Sequence, residues 1–226
     1  MKVKAYAKLN LCLNVVERLP DGYHDLNMIM VPIDLFDTID LSFDIKTTIQ
    51  ANRRYLPNDE RNTIIKVING LRAIYGFNDQ FQIKLTKNIP SQAGLGGGSA
   101  DAAIVIKTLN ALLDLKMSQA EMMDFGKSIG ADVPFCIINK PAYVSGIGEK
   151  IEPFDFACPF YLFLVKPHKG VSTKLAFENL DYEKLTHPNA KRLKDELIAC
   201  DYDGIIANMG NDLEQSALKL VPEIGK

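Results

Sequence analysis

PSQAGLGGGSADAAIVIKTLNALLDL, residues 90–115, is the stretch that decides how this chain is read. Four glycines, Gly94, Gly96, Gly97 and Gly98, stand directly before a strongly apolar run with helical spacing. Glycine has no Cβ and adopts positive φ readily, so main chain built from it can approach a ligand closely. The helix behind it aims unpaired N–H groups and a partial positive charge at whatever lies there. That combination is a cradle for phosphate. A Walker loop requires Lys and then Ser or Thr after its last glycine, but Ser99 and Ala100 follow Gly98. A dinucleotide fingerprint counted from Gly94 requires glycine where Ser99 stands. A turn that merely caps a helix needs one glycine or one serine, so four argue for a ligand.

The chain has 226 residues, 47% hydrophobic and 24% charged, which suits a globular protein of two modest lobes. A formal net charge of -2 provides no basic field for nucleic acid. Lys8, Asn10 and Asn14 interrupt the apolar N-terminal run that a signal or membrane helix requires, so the expected address is the cytoplasm, with no membrane partner. Cys12, Cys136, Cys158 and Cys200 are widely spaced and form no metal pattern with His24, His168 and His187, which fits reduced thiols.

Residues 3–16 alternate, with Ala5, Ala7, Leu9, Leu11, Leu13 and Val15 on one face of a strand and Tyr6, Lys8, Asn10, Cys12 and Asn14 on the other. After a turn at Pro20, Asp21 and Gly22, LNMIMVPI, DTIDLSFDI and TTIQA read as successive strands. A helix follows with Ile64, Ile65, Ile68, Leu71 and Ile74 inward, and then the strand FQIKLTKNI leads into the glycine loop. Ser118 caps the next helix and Gly130 ends it; FCIIN and AYVSG read as strands, and Gly146 and Gly148 mark a hairpin. Beyond about Pro153 the composition shifts to aromatics and prolines, and FYLFLVK is the one clear strand pattern. Its backbone needs partners, from the first lobe or from strands outside this sequence. The last segment, LEQSALKLVPEIGK, is still helical in pattern, and the expectation is a truncated second lobe.

Three groups of residues can carry chemistry. Lys8 and Asn10, two apart on a strand, present an ammonium and an amide side by side, although a solvated strand face has the same pattern. Asp132 in GADVPF can take a proton from a hydroxyl, and a nearby ammonium holds such a carboxylate ionised; a turn aspartate bonding its own backbone is the alternative. Tyr23 and His24 in DGYH suit a flat heterocycle, or simply a turn followed by a buried ring.

In this order, Lys-x-Asn, the glycine loop and GADVPF resemble the GHMP kinase family, whose loop has the form PxxxGLGGSSA. AKLNL (7–11), DGYH (21–24), IPSQAGLGGGSADAA (89–103), GADVPF (130–135) and GVSTKLAF (170–177) resemble a branch of that family acting in non-mevalonate isoprenoid synthesis. Its members phosphorylate the 2-hydroxyl of cytidine diphosphate methylerythritol.

The resemblance implies an α+β, two-lobe GHMP kinase fold. Residues 1–152 would form an ATP-binding lobe like ribosomal protein S5 domain 2, and residues 153–226 a truncated, ferredoxin-like substrate lobe. ATP and substrate would meet in the cleft between the lobes. It further implies Asp132 as catalytic base with Lys8 as its charge partner. The ATP phosphates would be wrapped by Pro90, Ser91, Gln92, Ala93, Gly94, Leu95, Gly96, Gly97, Gly98, Ser99 and Ala100, with Asn62 on the adenine side. Asn10, Tyr23, His24, Thr173 and Phe177 would contact the substrate, and Mg2+ would accompany ATP with Ser99 as a candidate ligand. Asp101 stands where some relatives carry Asn, and the late glycine-rich motif of the family does not occur before Lys226. Two other readings stay open: a homoserine- or mevalonate-type kinase of the same fold, and an ATP-binding sensor without catalysis.

Overall fold

The structure is a computed structural model that describes residues 1–225. The chain gathers into two compact units that interleave along the sequence: residues 1–8, 32–90 and 96–139 form the first, and residues 9–31, 91–95 and 140 onward form the second. The composition shift near Pro153 falls inside the second unit. Two long neighbouring strands, β1 (Lys2–Arg18) and β2 (His24–Asp44), contribute to both.

In the first unit β2 pairs antiparallel with β4 (Gln80–Thr86), from Thr38 opposite Thr86 to Asp44 opposite Gln80, and β3 (Thr48–Ala51) runs parallel to β4. Every second residue of β4, Phe81, Ile83 and Leu85, is buried, as period-two alternation requires. Four helices complete the unit: α1 (Thr63–Tyr75), α2 (Gly97–Leu112), α3 (Gln119–Ile129) and α4 (Val133–Ile138). The Asn62 side chain caps α1 by accepting the Ile64 N–H, and Gly76 closes that helix at φ 71. Ser118 and Glu121 form a capping box on α3. At Gly126 a Cβ would lie 2.7 Å from Val133 Cγ1, so α3 and α4 pack at a distance only glycine permits.

The second unit carries β5 (Ala142–Gly146), antiparallel to β2 at Leu26–Met30, its hairpin partner β6 (Lys150–Pro153), and β7 (Gly210–Asn211), which pairs parallel with β1 at Cys12 and Leu13. Around them lie α5 (Thr173–Glu178), α6 (Ala190–Ala199), α7 (Tyr202–Asn208) and α8 (Glu214–Leu220). Buried Asp212 ties this unit together: its carboxylate accepts N–H bonds from Val15, Thr186 and His187 at 2.8, 2.9 and 3.0 Å.

Several sequence expectations are corrected. LNMIMVPI and DTIDLSFDI are one strand, because Pro32 lies between the β5-paired and β4-paired stretches of β2, where its missing N–H costs no bond on that edge. FCIIN is not a strand but most of α4; Phe135, Cys136 and Ile137 are all buried, so the run shows no diagnostic period, and Pro134 in its first turn favours helix. Ile74 is 63% exposed and outside the core. Gly130 does end α3, with its backbone extended there. FYLFLVK joins no ladder among the described residues, and Tyr161, Phe163 and Val165 face solvent. All four cysteines are free thiols, and no helix among the described residues is long and apolar enough to cross a membrane.

Candidate active site

The glycine loop adopts the left-handed backbone that glycine permits. Gly94 and Gly96 sit at φ 71 and 65, and Gln92 joins them at φ 54. Gly96 occupies the N-cap of α2 and offers no side chain, while the first intrahelical bond at that end runs from Ala100 N to Gly96 O. The amides of Gly97, Gly98 and Ser99 are therefore left without helical acceptors, and the first turn holds no acidic residue to compete for them. Thr63 Oγ1 donates to Gly98 O at 3.1 Å and fixes the first turn against α1. On its other flank the loop is held in the second unit, where Val171 N donates to Gln92 O at 3.2 Å.

Lys8 comes from β1 and Asp132 from the residue before α4, both in the first unit. Lys8 is 6% exposed, and its Nζ lies 3.3 Å from Asp132 Oδ2. Asp132 holds the N-cap position of α4 yet makes no side-chain capping bond, so its carboxylate is not spent on the turn. Gly96 brings the loop against this pair: a Cβ there would lie 2.9 Å from Lys8 Cγ and 3.7 Å from Asp132 Oδ2. A buried ammonium, a carboxylate aimed away from its own backbone and a set of unpaired amides thus converge within one unit.

The second unit holds the residues expected to contact substrate. His24 stacks on Phe177 with ring centroids 4.8 Å apart, and its Nε2 lies 2.7 Å from Tyr182 Oη. Burial first, and then the positive charge of Arg18, lower the His24 pKa, which favours the neutral ring. Tyr23 is exposed, and Thr173 is the exposed first residue of α5. Asn10 is half-buried with its Oδ1 shut away from solvent and lacking a hydrogen-bond partner, an arrangement that awaits a donor. Asn62 is committed elsewhere, its Oδ1 to Ile64 N and its Nδ2 to Pro57 O. A separate polar cavity of about 270 Å³ between Asn14, Tyr143 and His187 contains none of the expected site residues.

Over 224 residues the chain is 39% identical to a 4-diphosphocytidyl-2-C-methyl-D-erythritol kinase of Geobacillus sp. (strain WCH70), covering 98% of this chain and 78% of that protein. It is 41% identical over 221 residues to the Clostridium beijerinckii protein of the same name, covering 97% and 79%. The chain belongs to the 4-diphosphocytidyl-2-C-methyl-D-erythritol kinase family. Residues 62–140 match the GHMP kinases N terminal domain, the broader family expected from the glycine loop. A crystal structure of a 4-(cytidine 5'-diphospho)-2C-methyl-D-erythritol kinase superposes with a TM-score of 0.79 at 28% identity, covering 100% of this chain and 80% of that one. A homoserine kinase from Cytophaga hutchinsonii shares the fold at TM-score 0.67 and 20% identity. The α+β GHMP kinase fold is thereby established.

Two features of this family member escape sequence reasoning. One is Tyr182, whose contact with His24 bridges 158 residues and has no motif to announce it. The other is a buried cluster in the first unit, where Lys87 Nζ contacts Asp37 Oδ2 and lies 2.7 Å from Asp101 Oδ2. Burial opposes the Lys87 charge, but the carboxylates of Asp101 and Asp37 outweigh it and raise the pKa. Burial, partly offset by Lys87 and reinforced by Asp37, pushes Asp101 up to about 7. From sequence Asp101 stood out only as a departure from some relatives, and Lys87 and Asp37 not at all.

Proposed function

We propose that this chain transfers the γ-phosphoryl group of ATP to the 2-hydroxyl of 4-diphosphocytidyl-2-C-methyl-D-erythritol. The observation that carries this reading is the Lys8–Asp132 pair, 3.3 Å apart, with the Gly96 backbone against it at the end of an uncapped helix. Asp132 accepts the hydroxyl proton while the freed oxygen attacks phosphorus and ADP departs; the carboxylate is available because no backbone amide occupies it. Lys8 offsets the negative charge that builds on the transferring group. The amides of Gly97, Gly98 and Ser99, with the loop from Pro90 to Ala100 around them, hold the phosphates.

Among the described residues no three acidic, His or Cys side chains gather as a dedicated metal site. Mg2+ would accompany ATP, and the Ser99 hydroxyl at the start of α2 is the side chain of this chain that would hold it. The ion would supply charge neutralisation between the phosphates. On the substrate side the reading assigns Asn10, Tyr23 and His24 to the cytidine diphosphate compound, with Thr173 and Phe177 completing its cytidine side. The stacked His24–Phe177 pair and the unsatisfied Asn10 Oδ1 support it. Asn62 remains an adenine-side residue in this proposal only through its backbone, since its side chain caps α1.

The test is ADP release measured separately with the cytidine diphosphate compound, homoserine and mevalonate. Turnover confined to the first supports the proposal. Equal turnover with either small alcohol, or tight ATP binding with no phosphorylation of any of them, overturns it.

A further inference from the structure

The Lys87 cluster sits where the glycine loop begins and ends. At the entry, Asp37 Oδ1 accepts the amides of Asn88 at 2.6 Å and Ile89 at 2.8 Å. At the exit, Asp101 lies on the second turn of α2 and takes Lys87 Nζ at 2.7 Å. The ammonium joins the two carboxyls, and Lys87's own N–H is held by Asn52 Oδ1 at 2.8 Å. The fit is close enough that a Cβ on Gly97 would lie 3.0 Å from both Lys87 Nζ and Ile89 Cγ2. Lys87, Asp37 and Asp101 are 5%, 0% and 3% exposed.

A buried ion cluster of this kind brings little net stability, because desolvation cancels most of the attraction. What it does provide is geometry. A loop rich in glycine has many conformations to lose when it closes on a polyanion, and fixing its ends beforehand removes part of that cost. We infer that Lys87, Asp37 and Asp101 are positioning residues that clamp both ends of the glycine loop and thereby set the affinity for the nucleotide triphosphate. The inference rests on the kinase reading for the identity of the ligand, but the clamp itself is a property of the unliganded chain.

Two readouts separate these. The first is hydrogen exchange of the unliganded protein: Asp101→Ala should speed exchange of the amides of Asn88, Ile89 and Ala100 about tenfold, with the sheet unaffected, while Asp101→Asn, which keeps an oxygen for Lys87, stays near wild type. The second is titration with a non-hydrolysable ATP analogue together with steady-state kinetics. In Asp101→Ala the analogue Kd and the KM for ATP should rise about tenfold, with kcat and the KM for the alcohol little changed and with Asn restoring most of the loss. Lys87→Met should behave as Asp101→Ala does; should it fail to fold, the two Asp101 variants decide alone. Unchanged loop exchange in a folded Asp101→Ala overturns the clamp, as does an equal loss with Asn and Ala. Failure of the wild-type chain to bind the analogue counts against the kinase reading instead, and leaves the exchange result to judge the clamp.

Discussion

Replacing Gly96 with alanine perturbs the candidate site in two ways that can be weighed separately. Gly96 sits at φ 65, where an L residue costs about 1–2 kcal/mol. The new methyl would also lie 2.9 Å from Lys8 Cγ and 3.3 Å from Lys8 Cε, so the buried lysine stem must retreat by about half an ångström. Strain alone should lower the melting temperature by about 2–8 °C for a chain of this size. Displacement of Lys8 acts on chemistry: a misplacement of about 1 Å is worth about a hundredfold, so kcat should fall by about 10- to 100-fold. Gly76→Ala separates the two effects. Gly76 has nearly the same backbone, φ 71, but open space around its Cβ and a position at the end of α1. It should melt at a similarly reduced temperature and keep wild-type kcat. Differential scanning calorimetry and single-turnover phosphoryl transfer give both quantities. A Gly96→Ala protein with kcat equal to that of Gly76→Ala would refute the argument that Lys8 must stay where Gly96 lets it lie.

Asp132→Asn should lower kcat by about two to four orders of magnitude while calorimetry finds ATP-analogue binding nearly intact; retention of turnover removes Asp132 from the base role. Tyr182→Phe deletes the hydroxyl 2.7 Å from His24 Nε2 and should raise the KM for the cytidine substrate severalfold with the KM for ATP unaltered, whereas parallel changes in both would point to a folding effect. Asp101, ordinarily near 3.8 and here raised to about 7, favours the folded state fully below pH 4, and that contribution is lost as pH rises through 7. Melting curves of wild type and Asp101→Asn across pH 4 to 8 should therefore diverge, the wild type losing ground as pH rises; a constant difference contradicts the assignment. Burial is the main cause holding the thiols of Cys12 and Cys136 up to about 12, so neither should react with an aromatic disulfide at pH 8 in the native chain, and labelling of either before unfolding would show the burial to be wrong.

The opening strand, the loop and its helix, the capping residues Ser118 and the hairpin at Gly146 and Gly148 were all legible, because each has a local cause in period, capping or backbone freedom. FCIIN failed for want of such a cause: with Phe135, Cys136 and Ile137 all inside, period carries no information, and tertiary packing of α4 on α2 and α3 decides. The polar face of β1 was misread in part, since Lys8 and Cys12 are buried on it, a fact that depends on what covers the sheet. For the candidate site, the sequence singled out Gly96, Lys8 and Asp132, and these lie against one another in the first unit. Asp37 and Tyr182 remained silent because their roles arise from neighbours 50 and 158 residues away in the chain.

The two long strands that feed both compact units carry a genetic consequence. The units draw on alternating pieces of the chain, so no single cut divides the gene into two fragments that each encode one of them. A protease nick at the exposed turn after Arg18 falls between β1 and β2, the two strands that feed both units. Such an architecture is inherited whole: it resists the domain shuffling that recombines bead-like proteins, and its history should be written in point substitutions and loop-length changes rather than in exchanged modules.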